Sequence, residues 1–418
     1  MSHLGPTDLR VSVSERGLRL AIEQLDCGLK IEFPVGFERA AADLLLDSVD
    51  DGVRPLAARN EPVLAYAPVA QANKFQALLY SKAGAHGVRM LPLISFDELH
   101  QLPLFSRLII HFHWFALITS QALGEADARE KVRVFLKGLD ELSARSDPLY
   151  IWTAHNVIPH DSLVPDADRA LRQEIIDRCT AIHCLTEESI DRLDSEFKLD
   201  RSKIFVVGHP SYCRAYPDFA ERNTARNRLG IAANDRVILG FGAIKQYKGF
   251  RILMDVFEVL AARPEAASEP WHLLIAGAGK GPDVAEIAEW ASERDDVSLI
   301  CEKIADEDLQ YVFRASDVAV CPYNATLNSG VAILALAFGV PVVAPALPAF
   351  TELGDDSILT YEPGQDSRTI AQLVVEAVGH RGQRVDNKGF NVTHDAAAIS
   401  DQFFEKIGEL WAKSGKMA

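Results

Sequence analysis

A chain of 418 residues is longer than one hydrophobic core ordinarily serves, so two domains of roughly 150 to 200 residues are expected. Apolar residues make up 48% and charged residues 24%, a globular composition without the signature of wholesale disorder. The formal charge of −16, with no lysine- or arginine-rich tract set against it, disfavours binding to nucleic-acid phosphates.

The opening MSHLGPTDLRVSVSERG has no apolar leader core, so the cytoplasm is the expected compartment. Cys27, Cys179, Cys184, Cys213, Cys301 and Cys321 form no C-x-x-C pair and read as reduced, mostly packed thiols. Residues 1–60 carry no nucleotide-fold pattern and are read as an appended segment of unassigned role, ending in the linker-like SVDDGVRPLAARNEP. From Val63 short apolar runs alternate with helical stretches, the pattern of a parallel sheet covered on both faces. The predicted strands are Val63–Pro68, Val88–Leu93, Leu108–Trp114, Leu149–Val157, Ala181–Leu185 and Ile204–Gly208. A polar, proline-bearing break follows, and the first domain is assigned to residues 61–215.

The alternation restarts with Val237–Ile244, Leu273–Ala276, Val297–Ile300, Val318–Pro322 and Pro341–Pro345, with helices such as Phe250–Ala262 and Asp306–Ala315 between them. Residues 216–395 are therefore a second domain, and 396–418 a final amphipathic helix free to pack back on the first. Val331–Phe350 is apolar enough to resemble a membrane span, but Gly339, Pro341, Pro345 and Pro348 would break it. The fold expected is α/β, two Rossmann-like doubly wound sheets with ligand edges at the carboxyl ends of their strands and a cleft between them.

Two segments of the second domain have the makings of a phosphate site. In Gly240–Gly249, glycines such as Gly242 let backbone approach a ligand, and Lys245 and Lys248 can both reach one diphosphate. In Asn324–Gly330, Asn328 or Ser329 can cap the following helix, and Gly330 leaves the first-turn N–H groups open to an anion. A tight turn with solvated lysines and an ordinary helix cap are the competing readings. In the first domain, His155 and Asn156 stand at a strand end, where an imidazole can contact a ligand or take a proton. His160 and Asp161 offer a second acid–base pair. His111 and His113 alternate on one strand and share a face, with Trp114 on the other, suiting either a buried hydrogen-bonded role or a ligand contact.

These segments resemble the group 1, or family 4, glycosyltransferases. FGAIKQYKG is similar to the family's F-G-R-x-x-x-x-K-G turn; LLIAGAGKGP, DEDLQYVFRASDVAVCPY and SGVAILALAFGVPVVAP follow in family order, and WTAHNVIPHD is similar to its T-x-H-N segment. HFHW, HNVIPH and HPSY are closest in style to bacterial exopolysaccharide transferases. The resemblance covers about Val63 to Gly379 and implies a GT-B fold. It also implies a nucleotide-sugar as donor substrate, with no separate cofactor. Gly242, Lys245, Lys248, Ser329, Gly330 and Glu352 are then expected at the donor, His155 or Asp161 as catalytic group, and Asn156, His160 and His113 at donor or acceptor. Two departures stand out. The family's Glu-x7-Glu pair falls on Thr326 and Leu334, and Ala243 replaces the turn arginine, whose charge Lys245 would supply.

Gly277–Gly281 lacks P-loop spacing, and no GxGxxG follows the first strand, which argues against a nicotinamide enzyme. No H-E-x-x-H, aspartate cluster or D-x-D stands out, so metal-independent chemistry is expected. The activity implied is transfer of a hexose from a UDP- or GDP-sugar to a glycan, lipid-linked, in polysaccharide synthesis at the inner face of the membrane. Weak peripheral contact through Lys74, Phe75, Lys82 and Arg89 is a further expectation. The alternatives are a non-catalytic homologue that binds nucleotide-sugar or a partner enzyme, and a sugar-nucleotide epimerase.

Overall fold

The computed structural model describes residues 9–13, 19–24, 29–34, 62–70, 73–102, 105, 107–159, 162–379 and 389–414. The chain forms two compact units, Met1–Pro210 with Ala396–Ala418, and Ser211–Asp395. In the first sixty residues, β1 (Leu9–Val13), β2 (Arg19–Gln24) and β3 (Leu29–Pro34) pair as an antiparallel sheet in that order.

The first unit's main sheet is parallel, in the order β5-β4-β6-β7-β8-β9. Its strands are β4 (Val63–Ala67), β5 (Arg89–Pro92), β6 (Leu108–Phe112), β7 (Leu149–Thr153), β8 (Ala181–Cys184) and β9 (Ile204–Val206). The four central strands are apolar at nearly every position because both faces are covered. On one face Ile110, Tyr150 and Trp152 pack with Val132, Leu139 and Leu142 of the helix Glu125–Ser146 and Leu171 and Ile175 of Pro165–Arg178. On the other, Leu64, Tyr66 and Ile151 meet Phe75 and Leu79 of the helix Phe75–Leu79 and Ile399, Phe403, Ile407 and Trp411 of the last helix, Ala396–Lys413. The last helix is thus an integral layer of the first unit.

The second sheet has the order β12-β11-β10-β13-β14-β15, again parallel. It is built from β10 (Arg236–Phe241), β11 (Trp271–Ala276), β12 (Val297–Ile300), β13 (Val318–Val320), β14 (Val342–Pro345) and β15 (Ile358–Tyr361). Helices Phe250–Ala261 and Ser367–Gly379 cover one face through Leu253, Phe257, Ile370 and Val374. On the other face Phe241 meets Phe313, which stacks on Phe338. Arg226, fully buried in the helix Arg222–Leu229, donates to the carbonyls of Ala315, Ala232, Ala233 and Asp235 and to the Asp317 carboxylate. Asp317 also accepts from the Val237 N–H, tying that helix to the sheet.

Each sheet reverses its winding once, between β4 and β6 in the first and between β10 and β13 in the second, and such reversal points are where open α/β sheets place ligands. Several predicted strands are too long: β7 ends at Thr153 rather than Val157, β6 at Phe112 rather than Trp114, and β10 at Phe241 rather than Ile244. The residues beyond each end form the loops that carry the candidate site. Of the cysteines, Cys179, Cys184 and Cys321 are buried free thiols, Cys213 is half-buried and Cys301 exposed; Cys27 lies outside the described residues. Among the described residues no helix is long and apolar enough to cross a membrane.

Candidate functional site

In the second unit the reversal point gathers most of the predicted donor residues. Just past β10, Gly242 has φ +102°, and a Cβ there would lie 2.6 Å from the Lys248 ammonium and 3.4 Å from Val331, in the first turn of the helix Gly330–Ala337. The turn closes at Gly249, with φ +68°, where a Cβ would stand 2.0 Å from the Pro322 carbonyl oxygen. Glycine is therefore required at Gly249 by backbone angle and by space, and favoured at Gly242 by backbone angle. Lys248 is 8% exposed, and its ammonium donates to the Tyr323 hydroxyl at 3.2 Å. Burial, with Lys245 nearby, pushes its pKa down to about 8, against the Cys321 thiol, which favours the charged form.

Ser329 caps the helix Gly330–Ala337, its hydroxyl accepting from the Ala332 N–H at 3.2 Å. Gly242, Lys248, Ser329 and Gly330 are thereby brought together: one buried cation, one bare backbone turn and one helix N-terminus, a combination suited to an anion. Lys245 is exposed at the start of the same turn. Glu352 is exposed after the short helix Pro348–Thr351, whose Phe350 packs on Tyr323. At the two positions where a carboxylate pair was expected, Leu334 is buried in the helix and the Thr326 hydroxyl donates to the Asn328 carbonyl. Tyr323, Lys248's partner, escaped the sequence reading.

In the first unit His155 lies two residues beyond β7, half-buried. Trp114 stacks on its ring at 4.2 Å, and Phe75 packs edge-on at 4.9 Å. Trp114 is thus not turned away from the histidines, because the strand has already ended and the backbone is free to swing it over. Phe75 is fully buried, so it cannot belong to a membrane-facing patch; Lys74, Lys82 and Arg89 are half-buried. His155 Nε2 lies 3.0 Å from His113 Nδ1. Burial, then His209 and His183, hold its pKa well below the ordinary imidazole value. His113 and His111 are buried and share the Tyr80 hydroxyl, at 2.6 and 2.7 Å. His113 is therefore an interior group behind His155. Asn156 Oδ1 accepts from the buried Arg172 at 3.4 Å. His160 and Asp161 lie outside the described residues. Among the described residues no group of three or more His, Cys, Asp or Glu is placed to hold a metal ion.

The family model of Glycosyl transferases group 1 matches residues 235–380, which span β10 to the end of the helix Ser367–Gly379. Over that span the second unit is similar to the group 1 glycosyltransferases. A D-inositol 3-phosphate glycosyltransferase of Mycolicibacterium vanbaalenii is 29% identical over 271 residues, 58% of this chain and 59% of that protein. The match thus spans about six-tenths of that relative's length. A GDP-mannose:glycolipid 4-beta-D-mannosyltransferase of Xanthomonas campestris is 26% identical over 64% of this chain and 70% of its own. Among solved structures, Anabaena HepE in complex with UDP-glucose superposes with a TM-score of 0.62 at 14% identity, over 84% of this chain and all of its own. The fold is GT-B, two parallel six-stranded sheets with helices.

Proposed function

We propose that this chain is a glycosyltransferase that moves a hexose from a UDP- or GDP-sugar to a glycan acceptor carried on a lipid, in the synthesis of an exopolysaccharide. The observation that carries this reading is the anion site at the second unit's reversal point, where buried Lys248 faces the bare turn at Gly242 beside the N-terminus of Gly330–Ala337. A departing nucleoside diphosphate develops negative charge, and a preorganised ammonium and helix N-terminus stabilise it without reorganising. These positive groups, with Lys245 at the rim, take the part a divalent cation plays elsewhere, which makes transfer independent of metal. Sugar and acceptor are assigned to the first unit, with His155 contacting a hydroxyl or removing its proton; Asp161 is the competing base. The lipid-linked acceptor is supported by the name of the Xanthomonas relative, and it would bring the chain to the inner face of the cytoplasmic membrane.

Thermal shift with UDP, GDP and their hexose conjugates tests the donor site. A specific ligand at a hundredfold excess over Kd stabilises by about 2.7 kcal/mol, and Lys248→Ala should remove most of that shift. Equal shifts in wild type and Lys248→Ala would overturn the assignment. Leu334 and Thr326 favour a second reading, a homologue that binds nucleotide-sugar without transferring it, because no carboxylate stands there to hold the donor. That protein would show the same shifts and no turnover.

A further inference from the structure

Behind His155 a chain of hydrogen bonds crosses the first unit from β9 to the reversal point. His183 Nε2 lies 2.8 Å from the Val207 carbonyl, and its Nδ1 lies 2.9 Å from the Thr153 hydroxyl. Thr153 is 2.7 Å from His111 Nε2, and His111 Nδ1 is 2.7 Å from the Tyr80 hydroxyl. Tyr80 is 2.6 Å from His113 Nε2, and His113 Nδ1 is 3.0 Å from His155 Nε2. Thr153 and the interior histidines are at most 2% exposed, and Tyr80 is 4% exposed.

The direction of this chain follows from its far end. A carbonyl only accepts, so His183 carries its proton on Nε2 and its Nδ1 accepts from the Thr153 hydroxyl. Having donated its one proton, Thr153 accepts from His111 Nε2–H, which leaves His111 Nδ1 to accept from the Tyr80 hydroxyl. The Tyr80 oxygen then accepts from His113 Nε2–H, and His113 Nδ1 accepts from His155 Nε2–H. Each step needs its imidazole neutral, and burial holds His111, His113 and His183 below the ordinary imidazole range. We propose that this one-way chain fixes neutral His155 as its Nε2–H tautomer, so that Nδ1 is the atom that accepts a proton or hydrogen bond from substrate, with Tyr80, Thr153 and His113 as positioning residues.

The same arrangement serves a base. When His155 takes up a proton at Nδ1, its Nε2–H bond to His113 is unchanged and no group behind it has to move. Phe403 of the last helix stacks on His111 at 5.2 Å and packs on His183 at 5.3 Å, closing the chain against water that would otherwise supply alternative donors. Among the described residues His209 also acts on His155, and its Nδ1–H donates to the Pro210 carbonyl at 2.7 Å. Phe75 and Trp114 pack on His155 with their rings.

Only the role given to Nδ1 rests on the transferase reading; the tautomer can be read without turnover. Full-length protein labelled with 15N in its histidine rings, at about pH 8 where His155 is neutral, is compared by long-range 1H–15N correlation with His155→Gln to assign the His155 signals. The expected result is a single tautomer, Nε2 protonated and Nδ1 bare. Thr153→Val breaks the chain without changing side-chain volume much: His111 is then free to hold its proton on Nδ1, the Tyr80 hydroxyl turns to His113, and His113 donates to His155. Tyr80→Phe breaks it two links closer to His155. In either folded variant the His155 signals should shift toward the Nδ1–H form, and kcat should fall about tenfold or more with KM little changed. A wild-type His155 protonated on Nδ1 at this pH, or a tautomer unmoved in both variants, overturns the proposal. Correct tautomers combined with full activity of His155→Ala would instead overturn the catalytic role.

Discussion

In the roles proposed for them, His155 and Lys248 should set opposite limits on pH. As a base His155 acts only when neutral, and burial with His209 and His183 keeps its pKa well below the ordinary 6.5, so activity should hold as pH falls through that value and fail only further down. Lys248 must be charged to meet a diphosphate, and its pKa of about 8 places the alkaline limb of kcat/KM there. Lys248→Arg should move that limb upward, and Lys248→Ala should lower kcat/KM by about 10- to 1000-fold. An alkaline limb unmoved by the arginine would remove Lys248 from the reaction. His155→Ala should lose about 10²- to 10⁴-fold; if Asp161→Asn abolishes transfer while His155→Ala keeps more than about a tenth of kcat, the two roles are exchanged. As candidates, His155 and Lys248 stand out in the sequence because each sits in a local motif, T-x-H-N or a glycine turn. Tyr80, Thr153 and His183 do not, since their bonds join positions 31, 42 and 30 residues apart. The same holds for Lys248's hydrogen bond to Tyr323, 75 residues further on.

At the level of elements, the apolar runs announced every parallel strand except β15, because a strand buried on both faces leaves a continuous signature. Their ends were misjudged where apolar residues continued into loops, and those loops hold His113, Trp114, His155 and the Gly242 turn. Nothing in the local pattern of the last helix names its partner, yet it completes the first unit's core. Phe403→Ala should cost about 3–5 kcal/mol by leaving a cavity beside His111 and His183, measured by denaturant unfolding; a loss below about 1 kcal/mol would mean that the face collapses to fill it. Arg226→Ala should likewise cost about 3–5 kcal/mol, since it leaves several buried carbonyls without their donor and removes one of the two arginines, Arg222 and Arg226, that pair with buried Asp317.

For the molecule as a whole, the buried histidines make stability depend on acid. Their pKa values are depressed in the folded state, so the stabilisation is complete above the unfolded value of about 6.5. Below that, the unfolded chain takes up protons that the folded chain refuses. For His183 the loss runs between about 6.5 and about 4. Tm should therefore fall between pH 7 and pH 5, and a flat Tm there would contradict neutral interior imidazoles. The most direct test of the account is transfer itself: purified chain with UDP- and GDP-hexoses, with and without a lipid-linked glycan extract, in excess chelator, following nucleoside diphosphate release and sugar incorporation. The account predicts release coupled to incorporation with one donor, unaffected by chelator and abolished in Lys248→Ala. Donor binding without release under any acceptor condition would contradict it and leave a nucleotide-sugar binding protein in its place.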